Sequence, residues 1–123
     1  MLRKINTEKA APAIGPYSQG MCTANLLFTS GQIPVNPKTG VIPEGIEAQV
    51  LQVMESLKAI AEEAGTDLTK AVKTTCFLSD MADFSRFNEI YATYFTEKPA
   101  RSCVAVKTLP KEVMVEVEAI IEL

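Results

Sequence analysis

The sequence contains no histidine, and this absence limits its chemistry more than any other feature of composition. Without an imidazole there is no Ser-His or Cys-His pair for nucleophilic catalysis and no histidine ligand for a metal. Neither a CxxC motif nor a paired acidic motif supplies other metal ligands. We therefore expect no metal site and no cofactor. Any catalysis must use arginine, carboxylates, tyrosine, serine, backbone groups and water.

Tryptophan is also absent and aromatic residues make up only 7% of the chain, so the core must consist mainly of aliphatic residues and methionine. The three cysteines, Cys22, Cys76 and Cys103, are odd in number and far apart, which favours reduced thiols over a disulfide framework. No apolar run approaches the ~20 residues of a membrane span, and the first residues lack the apolar region of a signal peptide. We expect a cytoplasmic protein without membrane contact.

The chain also lacks a cluster of lysine and arginine. Its twelve basic and fifteen acidic residues give a net charge of −3. Since affinity for nucleic acids comes largely from neutralising phosphates, this charge argues against a nucleic-acid partner. The 123 residues, 47% hydrophobic and 22% charged, are typical of one globular domain, which we assign to residues 1–123.

Hydrophobic periodicity predicts two helices. Over residues 46–64 the apolar side chains recur every three or four positions, and Gly65 is the expected stop. A second helix is predicted over residues 81–95, with Ser79 or Asp80 as its cap. Its inward stripe consists of Phe84, Phe87, Tyr91 and Tyr94.

Segments rich in β-branched residues predict five strands and a short sixth strand near the start. They are a hairpin within 18–33 that turns at Ala24 and Asn25, a strand at 72–78, a final hairpin joining strands 101–107 and 113–122, and the short strand at 2–6. The resulting class is α+β, a mixed sheet of about six strands with two helices on one face. The other face carries apolar and acidic residues, so we expect self-association through it.

The predicted final hairpin brings charged residues together. Matching the valine-rich faces of its two strands places Arg101 and Cys103 on the same face as Glu116 and Glu118. The opposite parity would set Arg101 among valines and bury glutamates, which is costly without partners. We therefore expect Arg101, Cys103 and Glu116 to lie close together.

Each candidate also has an ordinary structural explanation. An exposed Arg101–Glu116 pair contributes only ~0.5 kcal/mol, and a cysteine such as Cys103 is commonly a small buried hydrophobe. The others are a packing tyrosine at Tyr17, a strand end at Ser30 and Gly31, and a helix-surface residue at Asn88.

Five motifs nevertheless occur together, in order, over nearly the whole chain. They are "APAIGPYSQG" (11–20), "FTSGQIP" (28–34), "FNEIY" (87–91), "PARSCVAV" (99–106) and "LPKEVMVEVEAI" (109–120). As a set they resemble the RidA (YjgF) family of reactive-intermediate imine deaminases. The resemblance implies hydrolysis of 2-imino acids, such as 2-iminobutanoate and 2-iminopropanoate, to 2-oxo acids and ammonia. It also implies a chorismate-mutase-like fold, assembled as a homotrimer with sites between subunits.

By motif match, the resemblance assigns roles to seven residues. Arg101 would bind the substrate carboxylate, Glu116 would activate or protonate through a water, and Cys103 would act mainly through its backbone. The remaining residues, which would line the substrate pocket, are Tyr17, Ser30, Gly31 and Asn88.

Two other functions stay open from the sequence. A sensor would use the Arg101 pocket to bind a 2-oxo acid without turnover, but a second carboxylate at Glu116 would then repel the anionic ligand, which favours catalysis. An RNA-directed protein is the other alternative. The negative charge and the missing basic stripe argue against it.

Overall fold

The computed structural model describes all residues from 1 to 123 and has six strands and two helices. The strands are β1 (Arg3–Ile5), β2 (Gly20–Thr23), β3 (Leu26–Thr29), β4 (Ala71–Leu78), β5 (Ala100–Ala105) and β6 (Val115–Glu122), and the helices are α1 (Ile46–Ala64) and α2 (Phe84–Tyr94). The predicted α+β class and the order of elements are confirmed. Neither helix combines the length and apolar character needed to cross a membrane.

Helix α1 has the predicted bounds. Its repeated apolar side chains form a stripe in which Val50, Val53, Leu57 and Ile60 are fully buried against the sheet. Gly65 ends the helix in the left-handed conformation, with φ of 90°, which a residue without a Cβ adopts at little cost.

Helix α2 begins three residues later than predicted. The Asp80 carboxylate accepts a hydrogen bond from the Ala82 N–H and caps a short 3₁₀ turn, Met81–Asp83, that leads into the helix. Of the predicted inward stripe, Phe87 and Tyr91 are buried, and the side chains at the two ends of the helix are only half-buried.

The strand order in the sheet is β1-β2-β3-β6-β4-β5. Strand β6 lies between β3 and β4 and is antiparallel to both, whereas β5 pairs only with β4, in parallel, at the edge. The predicted hairpin of the last two strands is therefore wrong, because β4 lies between them. Helix α2 connects β4 to β5 as a crossover between parallel strands, and the four buried residues of β6 favour a central position.

With β4 between them, β5 and β6 also differ from the prediction in which of their residues share a face of the sheet. Arg101 pairs with Thr74, which pairs with Ala119, and cross-strand partners project on the same side. Arg101 and Cys103 therefore lie on the helix side of the sheet. Glu116, three positions from Ala119, projects to the opposite face, so the predicted proximity of these three residues within one chain is wrong. The burial argument failed because Arg101 lies at the sheet edge, where its charge is only partly buried.

The face opposite the helices retains apolar side chains. Phe28 is 41% exposed and Val104 is 46% exposed. The half-buried Phe77 and Ile120 lie on the same face, because Val104 pairs with Phe77 and Phe28 pairs with Ile120. This open face therefore combines aromatic and aliphatic surface with the carboxylates of β6.

Candidate functional site

Arg101 is held in place by helix α2. Its Nη1 donates a hydrogen bond to Asn88 Oδ1 at 2.7 Å, and its guanidinium carbon lies 4.9 Å from the ring centre of Tyr91 and 5.5 Å from that of Phe84. The ion pairs of the chain join Arg86 to carboxylates, and none involves Arg101. The guanidinium is thus a fixed cation whose remaining N–H donors can bind an anion.

Cys103 lies two residues along the same strand and pairs with Cys76 of β4. Burial raises the pKa of the Cys103 thiol, and nearby Arg101 opposes this shift only in part. The Val106 N–H donates a hydrogen bond to Leu78 O of β4. Because successive N–H groups along a strand point to alternate sides, the Cys103 N–H, three positions earlier, points away from β4 and towards the free edge of the sheet. The backbone of Cys103 is therefore a better candidate for ligand binding than its thiol.

A separate cavity of about 650 Å³ opens on the other side of the sheet. The segments around Tyr17 and Ser30 form one part of its wall, and Glu116 of β6 forms another. Apolar groups lining the cavity include Pro12, Ile14, Ile33, Val35 and Pro110. The cavity therefore combines polar groups and one carboxylate with an apolar surface, which is typical of small-molecule sites.

The environment of Glu116 disfavours its charged form. Burial, and then repulsion from Glu118 two residues along β6, raise the pKa of the Glu116 carboxyl. The carboxylate packs directly against Gly31, where an added Cβ would collide with it. The missing Cβ of Gly31 permits this close approach, and the φ of this residue is not in the left-handed region.

Buried Gln19 organises the loop that carries Tyr17, a role that the sequence analysis missed. Its amide nitrogen donates to Thr7 O at 3.0 Å and to Ala11 O at 2.8 Å, and its amide oxygen accepts from Thr7 N at 2.7 Å. Ser30 joins this network, since its hydroxyl donates to Ser18 O at 2.5 Å. The only signal in the sequence was a polar residue directly before a buried strand.

The seven predicted site residues therefore form two groups. The Arg101 cluster, on the helix side, contains Arg101, Cys103 and Asn88. The Glu116 cavity, on the other side, contains Tyr17, Ser30, Gly31 and Glu116. No group of three or more cysteine, aspartate and glutamate side chains is arranged to hold a metal ion.

Comparison with known proteins identifies the family. Residues 7–123 match the family model Ribonuc_L-PSP, described as Endoribonuclease L-PSP. The chain belongs to this family, the YjgF/RidA family. The resemblance inferred from the five sequence motifs is thus confirmed.

Similar members of the YjgF/RidA family align with nearly the whole chain. The 2-iminobutanoate/2-iminopropanoate deaminase of Escherichia coli (strain K12) is 51% identical over 98% of this chain and 97% of its own length. The crystal structure of the YjgF gene product from E. coli superposes with a TM-score of 0.94 at 49% identity, covering 98% of each chain. E. coli TdcF, solved with bound serine, gives a TM-score of 0.95 at 44% identity, also covering 98% of each chain.

Within this family fold, the two groups differ in the chemistry they offer. The Arg101 cluster carries a permanent positive charge suited to a carboxylate. The Glu116 cavity carries a carboxyl group whose raised pKa suits proton transfer nearer to neutral pH.

Proposed function

We propose that this protein is a deaminase that hydrolyses 2-imino acids, such as 2-iminobutanoate and 2-iminopropanoate, to 2-oxo acids and ammonia. The observation that carries this proposal is Arg101, a positioned guanidinium with no carboxylate partner in its own chain. Bidentate binding by arginine orients a small carboxylic acid firmly. The deaminase name of the E. coli relative at 51% identity supports the same substrate class.

The proposed reaction uses water as the nucleophile. With the carboxylate bound to Arg101, water adds to the electrophilic imine carbon while Glu116 accepts a proton from it. Glu116 then returns the proton to the nitrogen, which gives a carbinolamine. Glu116 next removes the proton of the carbinol hydroxyl and the nitrogen is protonated again, so that the carbon–nitrogen bond breaks and ammonia leaves with a 2-oxo acid as the product. Positioning the water and transferring its proton need neither a metal nor a cofactor.

The pocket residues have supporting roles in this proposal. The Gly31 N–H has no acceptor within the chain, unlike the neighbouring N–H groups of Ser30 and Gln32, and it lies beside Glu116. It and the outward Cys103 N–H are donors for the substrate. Tyr17 and Ser30 line the substrate side of the cavity, and Asn88 holds Arg101.

We further propose that each site combines two copies of the chain in a homotrimer of the chorismate-mutase-like type. Arg101 and Glu116 project to opposite faces of one sheet, so a substrate touching both needs a second copy. The exposed apolar side chains of the open face, such as Phe28 and Val104, support burial against that copy. We expect the assembly in the cytoplasm, where buried free thiols such as Cys22 and Cys76 stay reduced.

A coupled assay tests the deaminase activity. A PLP-dependent dehydratase or an amino-acid oxidase generates the enamine or imine in situ, and the formation of 2-oxo acid is followed with the wild type and with Arg101→Ala. We expect the wild type to accelerate the reaction and the variant to have no effect while keeping its fold. If the folded wild type gives no acceleration but is thermally stabilised by 2-oxobutanoate, the protein is a metabolite binder instead.

Mixed assemblies test whether two chains share a site. We expect Arg101→Ala and Glu116→Gln chains to have little activity alone and about a quarter of wild-type activity when equal amounts are co-expressed, because half of the chains supply each intact residue at random. If both residues act within one chain, every site in the mixture lacks one of them and activity stays absent. Each variant expressed by itself is the control.

A further inference from the structure

The ring of Tyr91 connects Arg101 to the protein core. Its centre lies 4.9 Å from the Arg101 guanidinium carbon, 4.7 Å from the stacked ring of Phe95 and 5.5 Å from the ring of Phe87. Tyr91 is only 7% exposed, and both phenylalanines are buried. The aromatic surface beneath the guanidinium is therefore fixed by core packing.

A hydrogen bond also fixes the far end of this ring. The Tyr91 hydroxyl lies 2.7 Å from Thr74 Oγ1, and Thr74 is the residue of β4 that pairs with Arg101 in β5. Burial is the main cause that raises the pKa of Tyr91, so its phenol stays neutral at neutral pH. Its attraction for Arg101 is thus that of an aromatic ring for a cation, without an ion pair.

We propose that Tyr91 is a positioning residue that sets the orientation of the Arg101 guanidinium for carboxylate binding. This inference rests on the proposed function, because it gives the carboxylate site its geometry. Asn88 engages one N–H of Nη1. The ring, held by Thr74, restrains the guanidinium from a second direction. The donors that remain are then presented to the ligand in one orientation, which is what bidentate binding requires.

Phe84 is a weaker restraint on the same guanidinium. Its ring lies farther away, at 5.5 Å, and it is half-buried at the start of α2. Phenylalanine has no hydroxyl group, so no hydrogen bond to Thr74 fixes the orientation of this ring. We therefore assign the positioning role to Tyr91.

The first test compares Tyr91→Leu with Tyr91→Phe. We expect the dissociation constant for 2-oxobutanoate, measured by calorimetry, to rise about tenfold in Tyr91→Leu, the upper range of a cation–aromatic contact. Tyr91→Phe keeps the ring, so it should bind within about threefold of wild type even though losing the Thr74 hydrogen bond lowers its Tm. A purely structural role for Tyr91 would lower Tm in both variants and leave the dissociation constant unchanged in both.

A second measurement reports on Arg101 without any ligand. In ¹⁵N-arginine-labelled protein, with the signal assigned by Arg101→Lys, the ring should shift the guanidinium resonances and slow rotation about the Cζ–Nε bond. We expect both effects to be lost in Tyr91→Leu and kept in Tyr91→Phe. If Tyr91→Leu does not fold, the variants Phe84→Leu and Asn88→Ala are compared instead. We expect Phe84→Leu to change these resonances less than Asn88→Ala does.

These two readouts separate the possible failures. A folded wild type that does not accelerate the coupled assay overturns the proposed function, while the resonances still decide whether Tyr91 restrains Arg101. Wild-type resonances without a ring shift, or an unchanged dissociation constant in folded Tyr91→Leu, overturn the positioning role.

Discussion

Arg101 is held by side chains of a regular helix, whereas Glu116 faces a cavity whose wall is mostly loop. On the helix side, Asn88 and Tyr91 contact the guanidinium from α2, and the core packs beneath them. On the other side, the segments around Tyr17 and Gly31 shape the cavity. Buried Gln19 and Ser30 tie these loops together by hydrogen bonds to backbone carbonyls.

This difference in support matches the proposed roles of Arg101 in binding and of Glu116 in proton transfer. A group that binds through permanent charge gains from a rigid support, because orientation then costs little on binding. A group that transfers protons gains from an environment that shifts its pKa, and partial burial beside Glu118 provides this for Glu116. The two regions should therefore respond differently to mutation: changes near Arg101 affect binding, and changes near Glu116 affect rate.

The largest effect that separates the two regions is expected from Glu116→Gln. The variant loses its base but keeps Arg101, so kcat should fall by about 10²–10⁴-fold while binding of 2-oxobutanoate is retained. Coupled assays and calorimetry on the same preparation give both quantities. Full activity in this variant would remove Glu116 from the acid–base role.

The pH dependence of wild-type kcat/KM tests whether Glu116 acts as a base. As a base, Glu116 must be ionised, so activity should fall as pH decreases through its pKa. The matched control is Glu118→Gln, which makes the same charge change on the neighbouring exposed residue. Since repulsion from Glu118 helps to raise the pKa of Glu116, this control should keep its rate and move the acid limb to lower pH. An unmoved limb would contradict this coupling.

A smaller effect is expected from Gly31→Ala. The added Cβ displaces the Glu116 carboxylate, and misplacing a catalytic group by about 1 Å can reduce the rate by up to ~10²-fold. Binding through Arg101 should change little. Because the collision partner is Glu116 itself, the loss in Tm caused by Gly31→Ala should shrink in a Glu116→Ala background. An equal loss of Tm in both backgrounds would show that the substitution acts elsewhere.

The smallest effect is expected from Cys103→Ser. Burial raises the pKa of the thiol, and the proposed contact is made by the backbone N–H, which serine retains. We expect kcat/KM to stay within about twofold of wild type, because serine is close to cysteine in size and leaves the backbone N–H in place. A large loss of kcat at unchanged Tm would instead indicate that the thiol takes part in the chemistry.

Much of the candidate site was predictable by residue type. The motifs contain Arg101, Glu116, Gly31 and Tyr17, and the structure places each in one of the two groups. The role of Gln19 was missed, because hydrogen bonds to distant backbone carbonyls leave no periodic pattern in the sequence.

The sequence by itself determined the local elements, because side-chain periodicity reports which positions face the core. Helix α1 has its predicted bounds, and the β2–β3 hairpin turns at Ala24, whose φ of 48° fits a tight turn. Tertiary structure decided which strands are neighbours. The connection between β5 and β6 is compatible with either a hairpin or a crossing over β4, and only packing selects between them. Because β4 lies between β5 and β6, the cross-strand partners differ from those of a hairpin. Arg101 and Glu116 therefore project to opposite faces of the sheet instead of the same face.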